Sequence, residues 1–175
     1  MAGVVHKRAR RLYHAVMRIG VVSDSHDRLP ALAAVLDRFR AERIETVIHA
    51  GDFVAPFAAR LLAAYPGTVH AIYGNNDGER AGLARVLPGV QDGPLRLSLA
   101  GRSILVHHFS DWCSAAEVAA VDVVITGHTH QVVVERRGKT LLLNPGECCG
   151  WLTGRCTAAL LDPAALTADV FEVNG

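Results

Sequence analysis

Five times along 175 residues a run of β-type residues ends in a short polar motif: Asp24-Ser25-His26, Gly51-Asp52, Gly74-Asn75-Asn76-Asp77, His107-His108 and Gly127-His128-Thr129-His130. Ile19 to Val22 and Thr46 to Ile48 are apolar without alternation. That is the pattern of strands covered on both faces, as parallel strands are. A parallel sheet delivers the carboxyl ends of its strands to one edge, where loops from distant parts of a chain meet. The motifs would then pool carboxylates, an amide oxygen and several imidazoles, the ligand set of a divalent metal centre.

Between these runs the apolar period changes. Leu32, Val35, Leu36 and Phe39 recur at helical spacing behind Pro30, which suits a first helical turn. Phe57, Leu61, Leu62 and Tyr65 mark a second helix that Pro66-Gly67 stops, and Val69 to Tyr73 makes a third strand. Leu83, Val86 and Leu87 predict a short third helix ended by Pro88-Gly89. Leu95, Leu97 and Leu99 then alternate with Arg96 and Ser98, a strand with one wet face, and a turn at Ala100-Gly101 leads to Ile104-Leu105-Val106 as a hairpin. Ser114-Ala115-Ala116-Glu117 is a capping-box signature, followed by a strand from Val121 to Thr126. From Gln131 onward the chain reads as all-β, with strands over Val132 to Arg136, Leu141 to Leu143, Cys156 to Leu161 and Ala168 to Val173. A βαβαβ half and a β-rich half without a linker predict two packed sheets with helices outside, a four-layer α/β arrangement.

A chain of 18.7 kDa, half hydrophobic, suits a single core. Its formal net charge of +1, with both signs interspersed, gives no general reason to expect nucleic acid as partner. Cys113, Cys148, Cys149 and Cys156 form no C-x-x-C motif and read as free thiols. No apolar run reaches the ~18 to 20 residues of a membrane span, so a cytoplasmic protein is expected. Residues 1–16 differ: Lys7, Arg8, Arg10 and Arg11 lie among Val5, Leu12 and Val16 with no acidic residue. Because Met17 directly precedes the first strand, residues 1–16 read as an extension outside the fold and 17–175 as the domain.

Asp24 and His26 stand two apart, so in an extended segment both side chains leave one face and can grip one ion. Asp52 follows Gly51 and has two oxygens with which to bridge two cations. Asn75 can offer an amide oxygen, and His128 and His130 repeat the spacing of two, with His107 closing the hairpin strand before them. Seven such groups exceed the needs of one tetrahedral ion and suit two ions sharing a carboxylate. His49 and His70, on strands, read as structural.

The series Asp24-x-His26, Gly51-Asp52, Gly74-Asn75-x-Asp77, His107 and Gly127-His128-Thr129-His130, completed by Asn144-Pro145-Gly146, resembles the calcineurin-like metallophosphoesterase superfamily over residues 18 to about 173. It is most similar to the small single-domain bacterial and archaeal phosphodiesterases. The resemblance implies a four-layer αββα sandwich and a dinuclear site loaded with manganese, nickel, iron or zinc. By the family's pattern Asp24, His26 and His130 hold one metal, Asn75, His107 and His128 the other, and Asp52 bridges them. Asn76 and His108 depart from the family's usual residues and are candidate substrate contacts; no residue stands out as general acid. Asp77 is expected to hold its loop through backbone hydrogen bonds. Glu147 stands where serine is common, in a loop that orients His130, and its charge would disfavour highly anionic substrates.

The expected function is hydrolysis of a small phosphate ester, a diester in this reading, by a hydroxide that bridges two divalent metals and is positioned by Asp52. The alternative is a metal-binding scaffold of the same fold engaged in protein assembly. A ureohydrolase-like enzyme fits less well, since Asp27 follows His26 immediately. Nuclease action lacks a basic stripe outside residues 7 to 11. Specificity is expected from loops near Phe53, Glu79, Phe109 and Trp112. The sequence is compatible with a homodimer but has no feature that demands one.

Overall fold

A computed structural model describes residues 17–175. The expectations for residues 1–16 lie outside the described residues. The first sheet is opened by β1 (Ile19–Val22), β2 (Thr46–His49), β3 (Thr68–Ile72) and the two-residue β4 (Val90–Gln91), all parallel neighbours in that order. Helices α1 (Leu29–Ala41), α2 (Pro56–Ala63) and α3 (Arg80–Val86) connect them. The second sheet is built from β5 (Leu95–Leu99), β6 (Arg102–Val106), β7 (Val123–Ile125), β8 (Val132–Arg137) and β9 (Thr140–Pro145), in the order β5-β6-β7-β9-β8. Helix α4 (Ala115–Ala120) precedes β7, and the capping box of Ser114 and Glu117 is formed. The chain then returns to the first sheet, where β10 (Cys156–Asp162) pairs antiparallel with β1 and β11 (Thr167–Val173) with β10.

Alternation along β1 divides the interior into layers. Ile19 and Val21 face a core between the sheets with Ile48, Ile72, Ile104 and Ile125. Val22 faces the opposite way, into a core shared with Leu32, Leu36 and Phe39 of α1 and Leu62 of α2. A third, smaller core joins Val118 of α4 and Val121 to Leu105 and Val124 of the second sheet. The result is an αββα sandwich.

Two expectations are corrected. Phe57 is exposed because α2 turns Ala58, Ala59 and Leu62 inward instead, a face three to four residues apart that one helical stripe can bury. Phe53, expected beside a specificity loop, is fully buried and stacked on His49 with ring centroids 3.8 Å apart. No helix among the described residues is long and apolar enough to cross a membrane.

Candidate metal centre

The loops after β1 and β2 are zipped together by Asp24 N–H to Gly51 O (3.0 Å), His26 N–H to Asp52 O (3.1 Å) and Asp27 N–H to Phe53 O (3.0 Å). On the other flank, Cys148 and Cys149 donate their N–H groups to Ser23 and Asp24 carbonyls, each at 3.0 Å. The loop after β3 is clamped from below by Asp77, whose buried carboxylate accepts from the N–H groups of Asp52, Phe53, Val54 and Gly74 at 2.7 to 2.9 Å. That is the loop-holding role expected of it. Close approach needs small residues at two points: a Cβ on Gly74 would overlap Asp52 Oδ1, and one on Gly127 would overlap Ser23 Oγ. Asp24, His26, Asp52, His128 and His130 all adopt positive φ, between 39° and 65°. Such backbone costs free energy in residues other than glycine and gathers at functional sites.

These loops bring six of the seven expected ligands into two groups. In the first, His26 Nε2 lies 3.5 Å from Asp52 Oδ2 and 3.9 Å from Asp24 Oδ1, and His130 Nε2 lies 3.5 Å from the same Asp24 oxygen. In the second, His128 Nδ1 is 2.9 Å from Asn75 Oδ1. The histidine that completes it is His108. Its Nε2 lies 3.0 Å from Asn75 Oδ1 and 3.3 Å from Asp52 Oδ2, while Nδ1 is 2.8 Å from the Ala50 carbonyl.

His107 is not brought into either group. Its N–H continues the β6 ladder to Ile125 O at 3.0 Å, so its ring leaves the opposite side from that of His108 and its Nδ1 meets the backbone of Phe109. Counting strand residues from the Ala100-Gly101 turn was the signal that could have separated the two. Asn76 is exposed and reaches Asp52 through its N–H to Oδ1 and its Nδ2 to Oδ2, both at 2.8 Å.

The donors fit divalent ions. Ligand atoms bound at about 2.0 to 2.2 Å to one ion stand roughly 3 to 3.5 Å apart, close to the separations found among Asp24, His26, Asp52 and His130. The buried His26 Nε2 has no hydrogen-bond partner among the described residues, as expected of an atom whose partner is an ion. Burial raises the Asp24 carboxyl. Burial also acts upward on Asp52, but the hydrogen bond and charge of His108, with the bonds from Asn76, outweigh it and hold Asp52 low and ionised. Cys149 lies close to His26 and His130, yet burial pushes its thiol up to about 12 and Sγ donates to Glu147 Oε2 at 3.1 Å.

Glu147 is fully buried. It takes the Nδ1 of His130 at 2.7 Å, and the N–H of Leu152, the N–H and hydroxyl of Thr153 and the Cys149 thiol converge on the same carboxylate. Burial alone would raise its carboxyl; the bonds from Thr153, Cys149 and His130 bring it down to about 2. Its charge is therefore spent on neighbours rather than presented to substrate, which corrects the expectation that it repels anions. His49 is structural, as expected: buried, 3.0 Å from Ser25 Oγ, and held by burial down at about 3. A cavity of about 300 Å³ on the outer face of the second sheet, near Cys113, Val118 and Leu142, reaches none of these donors. The chemistry lies elsewhere.

A sandwich of two mixed sheets with a histidine and carboxylate cluster at the carboxyl ends of its strands defines a metal-dependent hydrolase class. Residues 17–165 match the model of the calcineurin-like phosphoesterase superfamily domain, and the chain belongs to that family. It is 40% identical over 154 residues to a phosphodiesterase of Methanocaldococcus jannaschii, covering 83% of this chain and 93% of that protein. Among solved structures, an archaeal phosphodiesterase superposes with a TM-score of 0.78 at 34% identity, over 90% of this chain and 100% of the other. A Vps29 from Entamoeba histolytica shares the fold, with a TM-score of 0.65 at 21% identity over 90% of this chain and all of that one. The family implies divalent metal ions, consistent with the grouped donors.

Proposed function

We propose that the protein is a phosphodiesterase with two divalent ions, one held by Asp24, His26 and His130, the other by Asn75, His108 and His128, with Asp52 between them. The observation that carries this reading is the position of Asp52 Oδ2, 3.5 Å from His26 Nε2 on one side and 3.3 Å from His108 Nε2 on the other. When bound, the ions would supply water activation near neutral pH and neutralise charge building on the phosphoryl oxygens. The chain's own part is placement. Asp52 stays ionised at the shared position, Asn76 fixes its carboxylate plane, and Glu147 holds the Nδ1 of His130 so that Nε2 faces Asp24. Preference for a diester is supported by the phosphodiesterase relative. Imidazole, carboxylate and amide donors suit manganese, nickel, iron or zinc. A cytoplasmic location is supported by the four free thiols.

The test is to strip the protein with chelator, reload it separately with manganese, nickel and zinc, and compare hydrolysis of bis-p-nitrophenyl phosphate and p-nitrophenyl phosphate. Metal-restored activity favouring the diester, abolished in Asp52→Asn with the fold intact, is expected. Protein that binds metal and cleaves neither ester would favour the scaffold reading.

A further inference from the structure

We propose that the cleft beside the second ligand group is a subsite for a planar, uncharged aromatic arm of the ester, a nucleobase in chemical class. This rests on the phosphodiesterase reading, since it names what one arm of the diester is. The cleft encloses about 180 Å³ and begins at Asn75 and His108, so a ligand in it adjoins the metal centre. One wall is a continuous aromatic surface. The Phe109 ring lies 4.5 Å from that of His128 and is stacked with Trp112 at 5.5 Å and 22° between planes, and His107 stands 5.4 Å from Trp112. Tyr73 also lines the cleft, with the Arg80 guanidinium 4.5 Å over its ring.

Three features select the arm. Trp112 is 70% exposed at the rim, a large flat face left in water where a stacked ring would cover it. The displacement of His107 from the ligand group leaves its ring to extend that face, at the position where a metal ligand was expected from sequence. The charge at the far end is balanced, because Arg80 Nη1 is paired with Asp92 Oδ1 at 2.7 Å, so the cleft offers no unpaired cation to a second phosphate. A cleft with aromatic faces, mixed polar lining and a charge-balanced rim next to a phosphoryl site fits a base attached through its sugar to the phosphorus, since a base carries both a π-face and polar edges. Stacking of this kind tolerates different bases, since every base has a π-face.

Two measurements on the metal-loaded protein test it, using adenosine 5′-monophosphate and ribose 5-phosphate, which carry the same phosphate and differ by the base. Calorimetry should show the nucleotide binding about tenfold or more tighter. That ratio should collapse toward one in Trp112→Ala and be retained in Trp112→Phe; the exposed position of Trp112 makes both variants safe for folding. In Trp151→Phe, where Trp112 is the remaining tryptophan, the nucleotide should quench fluorescence and ribose 5-phosphate should not. Equal affinities for the two ligands, or a ratio unchanged by Trp112→Ala, would overturn the subsite. These readouts need no turnover. Selective nucleotide binding by protein that cleaves no diester would sustain the subsite and overturn the phosphodiesterase reading, whereas diester hydrolysis with equal affinities would do the reverse.

Discussion

His107 and His108 are adjacent, and the choice between them is decided by strand parity. His108 has both Asp52 and Asn75 within 3.3 Å, while His107 is occupied with the Phe109 backbone. His108→Ala should therefore lower bound metal from about two equivalents toward one, and His107→Ala should leave it unchanged; elemental analysis of dialysed protein checks this. Glu147 acts one step further out. A histidine ligand whose second nitrogen is held by a carboxylate is oriented and made more basic, and losing such a partner typically costs about 10- to 100-fold in metal affinity. Glu147→Gln keeps the shape and removes the charge, so metal affinity measured by calorimetry should fall by that factor with all seven proposed ligands in place. The residues that the structure groups were mostly legible in the sequence because a D-x-H or G-H-T-H spacing is local. The choice of His108 over His107 rests on parity along β6, which Ile104 and Val106 facing one core and Leu105 the other make visible only when residues are counted from the hairpin turn.

Asp77 ties two elements that are 25 residues apart. Its carboxylate serves N–H groups in the loop after β2 and in the loop after β3, so one side chain fixes the spacing between Asp52 and Asn75. Asp77→Ala would strand several of these donors, and unsatisfied buried donors cost about 1 to 3 kcal/mol each, less where water can reach them. A loss of about 2 to 4 kcal/mol in urea unfolding is expected, together with weaker metal binding. Elements with local signatures were readable in advance: the α1 stripe, the β5–β6 hairpin and the Ser114 cap. The pairing of β10 with β1 was not, since nothing in residues 156–162 says which sheet they join; that follows from burial of Ala159 and Leu161 against Ile19 and Val21. The two residues of β4 are too few to show a period.

Across the whole molecule, the parallel strands that seal the core between the sheets are the ones that carry the site at their ends, so stability and chemistry meet at the same edge. His49 sits at that junction, the last residue of β2, fully buried and kept neutral. Its folded pKa of about 3 lies below the 6.5 of an unfolded histidine. Between those values the unfolded chain binds a proton that the folded one refuses, so stability falls as pH drops below 6.5 and rises as pH rises. From pH 7 to pH 5 this one group should remove about 2 kcal/mol of stability. Other groups with shifted values, the raised Asp24 carboxyl and the raised His108 imidazole among them, titrate in both the parent and a His49 variant, so the His49 contribution is read as a difference between the two. In chelated protein, where metal release plays no part, the change in urea resistance from pH 7 to 5 should therefore be about 2 kcal/mol less unfavourable for His49→Gln than for the parent. Equal losses in the two proteins would mean that His49 takes up its proton in the folded state and that its burial does not govern the acid limb.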